Sequence, residues 1–326
     1  MKLPHRRTFL HLAAGAAALP ALPRIARAQA YPSQPVRIVV GFAPGGGTDI
    51  SARLIGQWLS ERLGQQFFVE NRPGAGANIA MEAVAKAQPD GYTLLLVSPG
   101  AAINATLYDK LNYNFMRDIA PIGGIVRLPN AMVVHPSFPA KSVPEFITYA
   151  KANPSRINMA SGGTGTSEHV SGELFKMMAS INMIHVPYRS GGLAVTDLLG
   201  AQVQVLFSNM LTAIEHIRSG MLRALAITTA ARSEALPDTP TVGEFVPGYD
   251  ASNWWGVGAP KNVPPEIIEK LNKEINSGLA DPKIKARLAD LGGVVLAGSP
   301  ADFGRLIADE TEKWGKVIRT ANIKAE

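Results

Sequence analysis

Short apolar segments and amphipathic helical segments alternate along nearly the whole chain, and this alternation limits the fold more than any other feature. Val36–Val40 predicts a buried strand, and Asp49–Leu63 follows with Ile50, Leu54, Trp58 and Leu63 on one helical face. Gly64 stands where a helix C-cap glycine belongs. The unit repeats as strand Phe67–Glu70, loop Asn71–Gly76, helix Asn78–Ala87, turn Asp90-Gly91 and strand Tyr92–Val97. Such alternation predicts an α/β fold with a parallel sheet covered by helices.

A second series follows a crossing strand at Ile122–Val126. It comprises strand Ala131–Val134, helix Ser142–Ala152, strand Ile157–Ala160, loop Ser161–Gly165 and helix Ser167–Ser180. Strand His185–Tyr188, helix Leu193–Leu199, strand Val203–Phe207, helix Thr212–Ser219 and strand Leu222–Ile227 continue it. The proline-rich stretch from Leu236 to Gly248 predicts a return connection. Strand Trp254–Gly258 and helices Pro264–Ala280, Pro282–Leu291 and Pro300–Ala321 then complete the first unit. Two lobes are expected, residues 31–126 with 246–326 and residues 127–245, joined by two crossings. Their cleft, where strand ends and helix N-termini converge, is the expected ligand site.

Residues 1–30 have the parts of a cleaved signal peptide: a basic start, an apolar run Phe9–Leu22 and Ala28-Gln29-Ala30 at the cleavage position. Arg6-Arg7-Thr8-Phe9-Leu10 resembles a twin-arginine signal, although adjacent arginines also occur in ordinary secretory leaders. The leader holds Lys2, Arg6, Arg7, Arg24 and Arg27 and no acid, so removing it takes the net charge from +6 to +1. That balance argues against a nucleic-acid partner. The chain has 0 cysteines, which excludes disulfides, thiolate metal sites and cysteine nucleophiles. An exported, periplasmic monomer without cofactor or metal is expected.

The chemistry concentrates at glycine-rich junctions. Gly41-Phe42-Ala43-Pro44-Gly45-Gly46-Gly47-Thr48-Asp49 joins a strand to a helix and leaves helix N–H groups bare for an anion. Ser161–Gly165 repeats the arrangement in the second series. No Gly-x-Ser-x-Gly elbow, His-Glu-x-x-His pair, Walker lysine or complete Gly-x-Gly-x-x-Gly is present. His135, His169, His185 and His216 lack metal-ligand spacing. Binding rather than catalysis is expected; a serine hydrolase remains the distant alternative.

These junctions, with Val69-Glu70-Asn71-Arg72-Pro73-Gly74-Ala75-Gly76, Pro89-Asp90-Gly91-Tyr92-Thr93-Leu94-Leu95, His185-Val186-Pro187-Tyr188-Arg189, Arg223-Ala224-Leu225-Ala226 and the run from Leu236 to Glu244, resemble the successive signatures of the Bug family. That family comprises the solute receptors of tripartite tricarboxylate transporters, and the resemblance spans the chain after the leader. It implies a type II periplasmic binding protein fold, the two-lobed Venus flytrap. It also implies a small organic acid as ligand, one carboxylate being held by backbone N–H groups of two loops, partly through water. The matching loops here are Phe42–Asp49 and Ser161–Ser167. Membrane permease subunits are the implied partners; a membrane sensor is the alternative, since both use the same closure.

Within the first loop, Gly45, Gly46 and Gly47 allow close backbone approach. Phe42 is either core or a pocket wall, and Asp49 either complements the helix dipole or fixes the loop. Ser98 ends a strand as a hydrogen-bond donor or a turn cap. In the second series Ser161, Gly163, Thr164, Thr166 and Ser167 offer hydroxyls and N–H groups, any one of which can instead be the helix N-cap. Tyr188 is expected to line the cleft; Arg189 is an anion clamp or a contact between lobes. Ser208 and Asn209 end a strand where, by the resemblance, many relatives carry an aspartate suited to a ligand amino group. Neutral serine there favours a ligand without a cationic amine. Trp254-Trp255 either stack on an aromatic acid or pack beneath the cleft.

Overall fold

The computed structural model describes residues 31–325 apart from 291 and 321, and the expected leader lies outside the described residues. The chain opens with β1 (Val36–Val40), whose alternate and central side chains are buried, and α1 (Gly47–Leu63). Gly64 ends α1 in the left-handed region at φ 71°, its N–H returning to the Ser60 carbonyl at 3.1 Å. Then come β2 (Phe67–Asn71), α2 (Asn78–Ala85), β3 (Thr93–Val97), α3 (Gly100–Leu107) and α4 (Phe115–Asp118). A 16-residue strand, β4 (Ile119–Val134), leads into α5 (Val143–Ala152), β5 (Asn158–Ser161), α6 (Ser167–Ala179) and β6 (Ile184–Pro187). After these come α7 (Gly191–Leu199), β7 (Val205–Asn209), α8 (Met210–Arg218), β8 (Arg223–Ile227) and β9 (Ser252–Pro260). The chain closes with α9 (Pro265–Ala280), α10 (Pro282–Asp290), β10 (Val294–Val295) and α11 (Pro300–Thr320).

The strand order β2-β1-β3-β9-β4-β7-β5-β6, with β8 and β10 also pairing β4, makes one curled mixed sheet. Both flanks are parallel, as β-α-β connection demands: β1 pairs β2 and β3, and β5 pairs β6 and β7. The centre is antiparallel, because β9 is the returning strand and lies between β3 and β4. The parallel sheet expected from alternation is thus found on the flanks and corrected at the middle.

The two strands expected at Ile122–Val126 and Ala131–Val134 are one strand, β4. Its partner changes where its sequence carries a proline that has no N–H to give: up to Pro129 it pairs with β9, and from Asn130 it pairs with β7 and β8. Beyond that point its alternating side chains feed two apolar clusters, Ala131 and Val133 into one, Met132 and Val134 into the other. Helix α3 was not foreseen because Gly100, Ala101, Ala102, Ile103, Asn104 and Leu107 are all buried, so its sequence shows no polar face. Among the described residues no helix is long and apolar enough to cross a membrane.

Candidate functional site

Five helices start at one place. A cavity with about 370 Å³ of atom-free space is lined at the N-terminus of α1 by Gly46, Gly47 and Thr48, and at that of α3 by Pro99 and Gly100. Thr166, Ser167 and Glu168 of α6 line it too, together with Gly191 of α7 and Asn209, the N-cap of α8. Each strand of a β-α unit delivers its helix start to the same end of the sheet, so the positive ends of the helix dipoles converge there. Phe42, Ser98, Gly162, Asn253 and Trp255 complete the wall.

The two halves of this wall differ in what their donors already hold. On α6, α7 and α8 the caps are satisfied by side chains: Thr166 accepts from the His169 N–H, Ser190 from Leu193 and Asn209 from Thr212. On α1 and α3 no side chain caps the helix start. The first-turn N–H groups of α1 are therefore the main donors left for a guest; on α3 the Ala101 and Ala102 N–H groups already donate to the Ser98 and Pro99 carbonyls, at 2.9 and 3.0 Å, and Gly100 offers the remaining one.

Asp49 secures the loop in front of α1 from behind. Its carboxylate accepts from the Gly45 N–H at 3.1 Å, from Arg53 Nε at 3.0 Å and from Asn71 Nδ2 at 3.0 Å. Asn71 Nδ2 also donates to the Phe42 carbonyl at 2.8 Å. Burial works to raise the Asp49 pKa, but the bonds from Arg53, Gly45 and Asn71 together hold it below the ordinary carboxylate value. Neither Asp49 nor Gly45 lines this cavity.

Phe42 and Gly162 also face a second, adjoining cavity with about 650 Å³ of open space. It is lined by Gly163, Thr164, Tyr188 and Arg189, and by Gly74–Ala77 and Tyr108, none of which was among the expected site residues although Gly74-Ala75-Gly76 belong to one of the signatures. The Tyr188 hydroxyl donates to Asp197 at 2.6 Å, and burial with that bond pushes its pKa up to about 12. The Arg189 side chain is exposed while its carbonyl accepts from the Ala43 N–H at 3.1 Å, so the loops of the two sheet halves touch through backbone.

Ser161 and Ser208 are fully buried and line neither cavity. The Ser208 hydroxyl donates to the Asn209 carbonyl at 3.3 Å and faces neither cavity, so the expectation that Ser208 disfavours a cationic amine on the ligand is corrected: Ser208 is not placed to set it. The Ser161 hydroxyl lies 2.7 Å from His185 Nε2, and His185 stacks on His169 with ring centroids 4.0 Å apart. Burial, and after it the neighbouring charge of Lys176, takes the His185 pKa down to about 4; burial first, then His185 and Lys176, puts His169 well below its ordinary value. This pair stands behind the α6 loop as packing. Trp254 packs edge-on against Phe303 at 5.8 Å, while its neighbour Trp255 reaches the first cavity.

Of the expected residues, the first cavity gathers Phe42, Gly46, Gly47, Ser98, Thr166, Ser167 and Asn209. The second gathers Gly163, Thr164, Tyr188 and Arg189. Sequence reasoning passed over Glu168, which is 3 % exposed; a glutamate in a first helical turn is ordinary dipole complementation and carries no further signal. Its Oε1 accepts from Asn209 Nδ2 at 3.0 Å, and its Oε2 accepts from the Gly162 N–H. Burial raises its pKa, more than the bonds from Gly162 and Asn209 lower it. Among the described residues no group of three or more ligating side chains is arranged to hold a metal.

A family model described as tripartite tricarboxylate transporter family receptor matches residues 51–323. Protein BugT of Bordetella pertussis is 39% identical over 302 residues, covering 91% of this chain and 92% of the relative. Two solved structures are close as well. Rpa4515 of R. palustris with adipate is 36% identical at a TM-score of 0.88, over 91% of this chain and 100% of that one. MatC of Rhodopseudomonas palustris with bound malate is 31% identical at a TM-score of 0.85, over 88% and 100%.

Proposed function

Because the chain belongs to the tripartite tricarboxylate transporter receptor family, we propose that it is a periplasmic receptor that captures a small organic acid and passes it to the permease subunits of such a transporter. The observation that carries this reading is the meeting of five helix N-termini at one cavity, with the starts of α1 and α3 uncapped by side chains. Backbone N–H groups and aligned dipoles hold a carboxylate there without a cationic side chain. Gly46 and Gly47 let the ligand carboxylate approach the backbone closely. Ser98 and Ser167 add hydroxyl donors from opposite sides of the cleft.

Residues 31–126 with 246–326 form one lobe of this receptor and residues 127–245 the other. The lobes close by hinge motion at the two crossings, β4 and the stretch leading into β9, and the acid bridges them. Adipate on Rpa4515 and malate on MatC support a carboxylate as the ligand class. The same family likeness supports a binding role rather than catalysis.

A thermal-shift screen of the purified protein tests the proposal, using C3–C6 dicarboxylates, citrate, hydroxy acids, amino acids and benzoate. An acid present at about one hundred times its Kd adds roughly 2.7 kcal/mol of apparent stability, enough to move the midpoint visibly. A shift confined to one acid class is expected; no shift from any acid counts against the receptor reading.

A further inference from the structure

Among the described residues lining the first cavity one side chain is ionisable, Glu168, and as a carboxylate it has the wrong sign for an anion receptor. Its carboxyl is built into the wall. Two of the wall's glycines make room for it, since a Cβ at Gly191 would stand 2.6 Å from Oε1 and a Cβ at Gly162 would stand 2.9 Å from Oε2. Asn209 donates to Oε1 from both its side chain and its backbone N–H, at 3.0 and 3.4 Å, and Gly162 donates to Oε2. Among the described residues no lysine or arginine pairs with it. A carboxylate has about four acceptor sites, so these three donors leave room for one more.

The arrangement divides the cavity chemically. The uncapped starts of α1 and α3 seek a negative group, while the α6 side already contains one that needs a donor. We propose that Glu168 is a specificity-determining residue: it rejects a second ligand carboxylate and accepts a hydroxyl or amino donor in its place. The receptor therefore takes monocarboxylates with a hydrogen-bond donor at the end remote from α1 and α3. This rests on the receptor reading above and narrows its ligand class. The physical reason is the closed cleft, where two like charges brought together without a cation are strongly disfavoured, whereas a donor completes the Glu168 acceptor set.

The test is a calorimetric comparison of matched acids on the purified protein and its Glu168→Gln variant. The probes are adipate, hexanoate, 6-hydroxyhexanoate and 6-aminohexanoate, with succinate, 4-hydroxybutanoate and 4-aminobutanoate as the shorter set. The wild-type protein should bind a donor-bearing acid at least about tenfold more tightly than the dicarboxylate of the same length, and Glu168→Gln should narrow that ratio to about threefold or less. The wild-type ratio stands as a test by itself if the variant does not fold. Dicarboxylates binding as well as or better than their donor-bearing partners, or a ratio untouched by Glu168→Gln, overturns the role of Glu168 and leaves the receptor reading intact. Binding of none of these acids, together with a silent thermal screen, overturns both.

Discussion

Asp49 shows how a charge in an anion-binding loop can serve the loop without meeting the anion. Its oxygens are occupied by Gly45, Arg53 and Asn71, so no side chain caps the first N–H groups of α1 on the cavity side. The sequence left two readings of Asp49 open, and the geometry favours loop fixing. His169 and His185 are the other residues whose surroundings decide their chemistry. Both are held neutral, with pKa values below 6.5 and that of His185 at about 4, so the unfolded chain binds more protons than the folded one between those values. Their contribution to stability is complete above pH 6.5 and is lost as pH falls towards 4. By pH 5 the loss from His185 alone should be on the order of 2 kcal/mol. Urea unfolding across pH 4–7 measures it; His185→Gln should flatten the slope in that window, and a wild-type profile already flat there would refute the assignment.

At the scale of elements, amphipathic helices were legible and buried ones were not. Helix α1 was found by its apolar spacing and its Gly64 cap, and α7 and α8 were found with their starts two residues late, because Ser190 and Asn209 cap them ahead of the first periodic residues. Helix α3 was missed because it is surrounded. It packs against α11, whose Trp314 and Ile318 share an apolar cluster with Ile103, Leu107 and Met132. The last helix therefore braces the element that presents Pro99 and Gly100 to the cavity. Trp314 is fully buried, and its Nε1 donates to Glu310 at 2.9 Å. Trp314→Ala should cost about 3–5 kcal/mol in urea unfolding. A loss under about 1 kcal/mol would mean that α11 does not brace α3 in this way.

At the scale of the molecule, Gly47 marks how closely the halves approach. A Cβ there would lie 2.5 Å from Asn209 Oδ1 and 2.6 Å from Trp255 Cη2, residues from opposite sides of the cleft. Gly47→Ala should hold the proposed lobes apart on the Asn209 side and crowd the buried Trp255, weakening acid binding by about tenfold or more and costing about 1–3 kcal/mol of stability. Calorimetry reads the affinity, and small-angle scattering should show less ligand-induced compaction than in the wild type. Equal affinity and equal compaction would remove Gly47 from the closure. The sequence by itself determined the α/β class, the glycine-rich junctions and most helix ends, because periodicity, caps and turns are local and a few neighbouring residues set them. Tertiary structure alone decided that β4 is one strand shared by both halves of the sheet, that Ser161 backs onto histidines, and that Glu168 stands in the cavity wall. Those outcomes depend on segments as far apart as Gly47, Ser98, Glu168, Asn209 and Trp255 meeting within a few ångströms, and such contacts leave no periodic trace in any one of them.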